Sequence, residues 1–263
     1  MSFVPVIPFS GYAGWSFLQR TFESQKAAFV ADPGTQRDEA YFRAHIGEVH
    51  TAEQLVADHR LLKVALGAFG LEADIGNRFF IRKVLADGTL EGSALSNKLA
   101  NKQYREMAAA FGFGDFSTPR TQLSDFADEI LSDYRRSSFE AAVGEVNPDL
   151  RIVLHAGHAL TDIADETLSE DGKWFSVMGS PPLRSLFETA FGLPSSFGTL
   201  DIDRQLGVLK DKAQAMFGSD GVAQFADAGV RDKLTRQYLA RAQIGAGTVG
   251  TVQTLTNALQ LLR

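Results

Sequence analysis

Ala-Phe-Gly occurs three times in this chain, as Ala68-Phe69-Gly70, Ala110-Phe111-Gly112 and Ala190-Phe191-Gly192, and Met216-Phe217-Gly218 is a degenerate fourth copy. The triplet reads as a helix ending. An apolar ring closes the last turn, and glycine follows in the left-handed conformation that side chains resist. Aligning Phe69 with Phe191 brings further positions together. Leu55 pairs with Val177, Asp58 with Ser180, Leu61 with Leu183, Leu71 with Leu193, Ile75 with Phe197, Phe80 with Ile202 and Val84 with Leu206. Phe111 follows Phe69 by 42 residues and Phe217 follows Phe191 by 26, so the first copy has 16 extra residues. An additional helix near residues 90–99 accounts for them. The expected fold is all-α: a compact multi-helix body of about ten helices, with an internally duplicated helical unit that ends in Ala-Phe-Gly. The two units fall at about 50–115 and 172–219, joined by helices over 118–170. Two copies are too few for a solenoid.

Caps and periodicity support helices throughout. Thr118-Pro119, Asn147-Pro148 and Ser180-Pro181 each place an N-cap residue before proline at the first helical position. Thr51 and Gln54 have capping-box spacing. Asp32-Pro33 and Leu193-Pro194 read as turns. Trp15, Leu18, Phe22 and Phe29 share one face at helical spacing. So do Leu123, Phe126, Ile130 and Tyr134, and likewise Leu150, Val153, Leu160 and Ile163. No run of alternating residues suggests a sheet.

Composition removes several function classes. Lys+Arg is 26 against Asp+Glu 32, a net charge of −6, which disfavours general nucleic-acid binding. There is no cysteine, so disulfides, thiol nucleophiles and thiolate metal sites are excluded. Pro5 and Pro8 break the apolar opening, and the first basic residue is Arg20, so no cleavable signal peptide is expected. The uncharged tail 242–262 is long enough for a span, but its glycines, glutamines and threonines argue against one. The expected location is cytoplasmic or flagellum-associated.

The stretch Leu55-Val56-Ala57-Asp58-His59-Arg60-Leu61-Leu62-Lys63-Val64-Ala65-Leu66-Gly67-Ala68-Phe69-Gly70-Leu71 resembles bacterial domain-of-unknown-function family 1217. The opening Gly11-Tyr12-Ala13-Gly14-Trp15, Phe80-Ile81-Arg82-Lys83-Val84-Leu85 and the run from Tyr104 to Phe113 share the resemblance, as does the second copy from Gly179 to Leu193. It implies an all-helical, mostly alphaproteobacterial protein with no assigned reaction or catalytic residues. It also implies a gene often found among flagellar genes.

No catalytic or cofactor residues emerge from the sequence. Gly245-Ala246-Gly247-Thr248-Val249-Gly250 matches the dinucleotide fingerprint in spelling only, since no strand precedes it and the chain has only 13 further residues. His155 and His158, with Asp162 on nearly the same face, are a ligand set for a divalent metal. A solvated helix face beside Asp165 and Glu166 is the simpler account, so no metal is assigned. His45, His50 and His59 are scattered singles. Asp125, Asp128, Glu129 and Asp133 read as a solvated face opposite Phe126, Ile130 and Tyr134. Phe supplies 20 residues, which reads as core.

The chain's ends are the better functional candidates. Residues 1–245 form the expected body, and 246–263 read as a glycine hinge and a C-terminal helix. There Val252, Leu255, Leu259 and Leu262 make a short apolar seam for a protein partner. The expectation is a non-enzymatic structural or accessory protein of flagellar assembly or motility, acting through protein–protein contacts. The alternative is a small-ligand-binding protein or enzyme using a cleft between the duplicated lobes.

Overall fold

The structure is a computed structural model that describes residues 3–261, with side chains described for 3–244. Among the described residues there are thirteen α-helices and no strand. About ten were expected, and two of the thirteen are only a turn or two long, too short to leave a periodic signature. No described helix is long and apolar enough to cross a membrane.

The chain divides into two compact units: 1–6 with 21–146, and 7–20 with 147–263. α1 (Gly11–Val30) contributes to both. The first unit holds α2 (Pro33–His45), α3 (Ala52–Ala57), α4 (His59–Ala68), α5 (Arg78–Asp87), α6 (Leu95–Lys98), α7 (Gln103–Phe111) and α8 (Phe126–Val146). The second holds α9 (Pro148–Asp165), α10 (Glu170–Gly179), α11 (Pro181–Phe191), α12 (Ile202–Phe217) and α13 (Ala228–Leu261).

Helix starts follow cap chemistry. Thr51 and Gln54 close the expected capping box, and the Gln54 amide oxygen also accepts from the His50 N–H at 2.6 Å. Asp58 caps α4 through the N–H groups of Arg60 and Leu61, and Asn147 caps α9 through that of Leu150. Two expectations need correcting. Asp32-Pro33 starts a helix rather than a turn, because the Asp32 carboxylate takes the N–H groups of Gly34 and Thr35. Thr118-Pro119 starts only a 3-10 turn (Arg120–Gln122), and α8 begins at Phe126. Leu123 therefore leaves the expected stripe and lies 51% exposed, while Phe126, Ile130 and Tyr134 are buried.

The glycines of the three Ala-Phe-Gly triplets and of Met216-Phe217-Gly218 all have positive φ, from +65° to +95°. They fall into two kinds. After Phe69 and after Phe191 the N–H of the following leucine reaches back to a carbonyl five residues earlier, Leu71 to Leu66 and Leu193 to Glu188, both at 2.9 Å. After Phe111 and Phe217 the glycine N–H itself closes the helix, Gly112 to Ala108 at 2.9 Å and Gly218 to Gln214 at 3.0 Å. The former is the Schellman arrangement and the latter the simpler left-handed cap. In each unit one ring of each kind faces the other: Phe69 and Phe111 lie 6.5 Å apart, Phe191 and Phe217 6.3 Å.

These rings anchor the cores. In the first unit Phe111 also meets Phe113 and Phe126, amid Leu62, Leu66, Ile81 and Met107. In the second, Trp174 is fully buried against Phe187 and Phe225, and its indole N–H donates to the Asp220 carbonyl at 2.8 Å. Phe225 in turn meets Phe187 and Phe217. A short helix, α6, falls within residues 90–99, where a helix was expected. The aligned pairs have similar burial at Leu55 and Val177, and at Leu61 and Leu183. They part beyond the 3-10 turns, where Phe80 is half-buried and Ile202 is 56% exposed.

The left-handed caps predict unequal tolerance of alanine. Gly192→Ala puts a methyl at φ +65° and against the Arg241 guanidinium, whereas Gly76 has open space. Chemical denaturation should show Gly192→Ala costing about 1–2 kcal/mol and Gly76→Ala near neutral. Equal effects would contradict the cap assignment.

Candidate functional site

Four regions hold the side chains with chemistry to offer. The first is the start of α1 in the second unit. Gly11 has φ +58°, and a Cβ there would collide with the Gln243 amide from α13. Gly14 lies under the Phe9 carbonyl, where a Cβ would come within 2.1 Å. Between them Tyr12 donates to Asp232 at 2.9 Å, and the Arg236 guanidinium covers its ring at 4.3 Å while pairing with Asp232. The Gly-Tyr-Ala-Gly-Trp opening is thus a clasp between α1 and α13. Its glycines exist for close approach and its tyrosine for the bond to Asp232.

The second region is the N-terminal arm. Residues 3–6 have no regular secondary structure and lie against α1. Gln25, 9% exposed, accepts from the Val6 N–H at 2.8 Å and donates to the Val6 carbonyl at 3.0 Å. Phe3 packs on Phe29 and Phe139. Val4 and Val6 point outward, 65% and 62% exposed.

The third is an open groove of about 450 Å³ along α10 and α12, lined by Asp171, Asp203, Lys210, Asp211, Gln214 and Asp220 among others. Lys210 bridges Asp171 at 2.7 Å and Asp220 at 3.4 Å, and the bond to Asp171 raises its pKa above the ordinary lysine value. The groove's one lysine is therefore tied up by its carboxylates.

The fourth is the face of α9. His155 and His158 stack edge-to-face with ring centres 5.1 Å apart. The Asp162 carboxylate lies 3.8 Å from His158 Nδ1, and the Ser180 hydroxyl lies 3.4 Å from His155 Nε2. Ser180 makes no capping hydrogen bond to α11, which it was expected to start. The other sequence candidates are dispersed. His45 stacks on Tyr41 at 4.1 Å and its Nδ1 faces the Tyr41 carbonyl. Asp128, Glu129 and Asp133 pair with Arg43, Arg120 and Arg136 on the outer face of α8. The glycine-rich run 245–250 falls within the bounds of α13, not after a strand. Of the expected seam, Val252, Leu255 and Leu259 fall within the bounds of α13 but their side chains lie outside the described ones, and Leu262 lies outside the described residues.

Sequence reasoning missed the molecule's main polar device. The chain has five tyrosines, and every one donates its hydroxyl to an aspartate. The pairs are Tyr12–Asp232, Tyr41–Asp58, Tyr104–Asp74, Tyr134–Asp38 and Tyr238–Asp149. Their separations run from 17 to 220 residues, so no local pattern reveals them. Burial and the Asp74 carboxylate push Tyr104 up to about 12, and burial with Asp38 does the same for Tyr134. Burial and Asp149 likewise raise Tyr238, and the Asp58 bond raises Tyr41.

A tyrosine whose pKa is higher folded than unfolded adds stability below the unfolded value of about 10. That stability disappears as pH climbs through the folded value. Titration followed at 295 nm should show tyrosines resisting ionisation well above pH 10, with denaturation free energy falling between about pH 10 and 12. Tyr104→Phe with Tyr134→Phe should flatten that fall. Tyr41, Tyr104, Tyr134 and Tyr238 titrating together near pH 10 would refute the clamps.

Comparison with known proteins adds the family and confirms the fold. No curated protein matches the sequence. The chain is similar in structure to a protein from Agrobacterium tumefaciens, AGR_C_984, solved by X-ray crystallography, with a TM-score of 0.72 and 22% identity, covering 92% of this chain and 99% of that one. At that identity the likeness speaks to the fold alone. A family model described as "Protein of unknown function (DUF1217)" matches residues 68–230. The match takes in Phe69, Phe111, Phe191 and Phe217, and on it the chain belongs to that family.

Proposed function

We propose that this protein is a non-enzymatic structural or accessory component of flagellar assembly or motility that works through protein–protein contacts. One observation carries the contact reading. The N-terminal arm is pinned by its backbone to Gln25 while Val4 and Val6 face outward. A flexible tail would hide such residues by collapse, but this arm is held in a form that displays them. Apolar segments of this kind pair with a partner's backbone or fill its pockets. In the second unit Phe9 and Ile244 are 56% and 67% exposed, next to the clasp of α1 on α13. The flagellar setting rests on the genomic company that the family resemblance implies.

The reading also takes the two helical units as copies of one ancestral unit. Its support is the matched order of Schellman cap, then simple cap, with one facing phenylalanine pair per unit. Duplication gives a scaffold two similar frames on which different surfaces diverge.

Affinity capture of the tagged full chain from its native host, with crosslinking and mass spectrometry, tests this function. Rod, hook, export or motor components should be enriched. Val4→Asp with Val6→Asp should reduce that enrichment at unchanged melting temperature, and deletion of 246–263 should reduce it independently. Enrichment of no flagellar component, together with normal swimming and flagellar number in a deletion strain, would refute the reading.

A further inference from the structure

We propose that His155 and His158 on α9 bind a divalent transition-metal ion of the Zn²⁺ class, with Asp162 and Ser180 as the groups that orient the two rings. The ligand set comes first. The chain has no cysteine, so a transition-metal site must use imidazole and oxygen donors, which suit Zn²⁺, Ni²⁺ and Co²⁺. Histidines three apart on a helix project from one face. Here the rings are adjacent, and ring nitrogens of the two lie within 4.8 Å of each other. Two nitrogens on one tetrahedral ion sit about 3.4 Å apart at metal–nitrogen bonds of about 2.0–2.1 Å. A modest side-chain rotation spans the difference.

The oxygens around the rings strengthen the case. A metal-bound histidine usually has its other nitrogen facing a carboxylate, hydroxyl or carbonyl that fixes ring orientation. Asp162 stands on the Nδ1 side of His158, at 3.8 Å, and Ser180 stands on the Nε2 side of His155, at 3.4 Å. Each ring thus has an oxygen beside one of its nitrogens. Ser180 is the telling member. At the start of α11 a serine ordinarily bonds a backbone N–H, yet this one makes no such bond and turns to His155. His158 is 28% exposed, sheltered but reachable, and Asp162 at 73% leaves room for water to complete the coordination.

The test uses the untagged full chain and Zn²⁺ itself, followed by calorimetry and thermal melting, with Co²⁺ absorption as a coordination signature. The wild type should take up one ion per chain and melt higher as free Zn²⁺ rises. His155→Asn with His158→Asn should abolish both effects without changing the metal-free melting temperature, and His50→Asn with His59→Asn should leave them intact. Asp162→Asn should weaken Zn²⁺ binding about tenfold, the usual effect of losing an orienting carboxylate, without changing the stoichiometry. The absence of saturable uptake by the wild type overturns the proposal, as does equal uptake by the double histidine variant. Unchanged affinity in Asp162→Asn overturns the orienting role. These outcomes are independent of the partner-capture experiment, since neither His155 nor His158 lies in the N-terminal arm.

Discussion

The left-handed glycine after a helix-ending phenylalanine is the constraint on which the rest of the structure depends. A helix left to itself runs until its apolar face runs out. Here Gly70, Gly112, Gly192 and Gly218 stop it at φ values that a side chain enters only at about 1–2 kcal/mol. Because the stop is abrupt, the preceding ring becomes the cap of a helix end and not one of many side chains along a stripe. Two such ends then meet ring to ring, Phe69 with Phe111 and Phe191 with Phe217. That contact fixes where each helix pair closes, and the remaining aromatic side chains fill in around it. In the second unit Trp174, Phe187 and Phe225 complete a cluster in which neighbouring rings meet edge to face. Edge-to-face pairs contribute about 0.5–1.5 kcal/mol beyond area burial. A chain of them is a directional core, more specific than the same volume of leucine.

Aromatic ends define positions within each unit, and polar bonds tie distant segments to them. A hydroxyl-to-carboxylate bond is worth about 1.5–3 kcal/mol when the carboxylate is charged, more than an ordinary neutral bond. The tyrosine–aspartate pairs place that strength between helices rather than within them. Tyr238 joins α13 to the start of α9 through Asp149, and Tyr104 joins α7 to the 3-10 turn (Glu72–Asp74) through Asp74. Asp115 works similarly on the loop after α5. Burial pushes its carboxyl up, but the N–H groups of Thr89 and Leu90 and the Thr89 hydroxyl outweigh this and hold it below the usual range. Ser96, wholly buried, donates to the Gly88 carbonyl of the same loop. The segment between α5 and α7 is thereby ordered despite having only one four-residue helix.

How much of this could be read beforehand depends on the range of each interaction. The all-helical class, the glycine stops, the Thr51–Gln54 box and the caps at Asp58 and Asn147 are local, and each was legible within a few residues of sequence. Asp32-Pro33 was misread because a turn and a helix start use the same two residues, and only the carboxylate's choice of Gly34 and Thr35 separates them. Leu123 was misplaced because periodicity continues through a 3-10 turn that a 3.6-residue count cannot distinguish from helix. The tyrosine clamps were invisible for a different reason. Tyrosine and aspartate are both common in solvated surfaces, and Tyr12 with Asp232 are 220 residues apart. The α9 face was half legible. The helical spacing of His155, His158 and Asp162 was plain, but Ser180 reaches it from another helix.

The same economy explains why function is sought at the surface. Buried polar side chains in this protein serve the backbone: Gln25 holds Val6, Thr121 donates to the Val49 carbonyl, and Lys173 donates to the Ala164 carbonyl near the end of α9. A buried lysine at a helix C-terminus faces that helix's partial negative charge and completes the helix as a cap would. Groups committed in this way cannot move toward a ligand without releasing the element they hold. What is left with freedom to respond is what the fold displays at its surface, chiefly the outward valines of a pinned arm; the two imidazoles on the α9 face offer donors of another kind. The first suits a partner that reads shape, and the second suits an ion that reads donor chemistry. Neither demands rearrangement of the core, which is the condition a rigid helical scaffold places on any activity it carries.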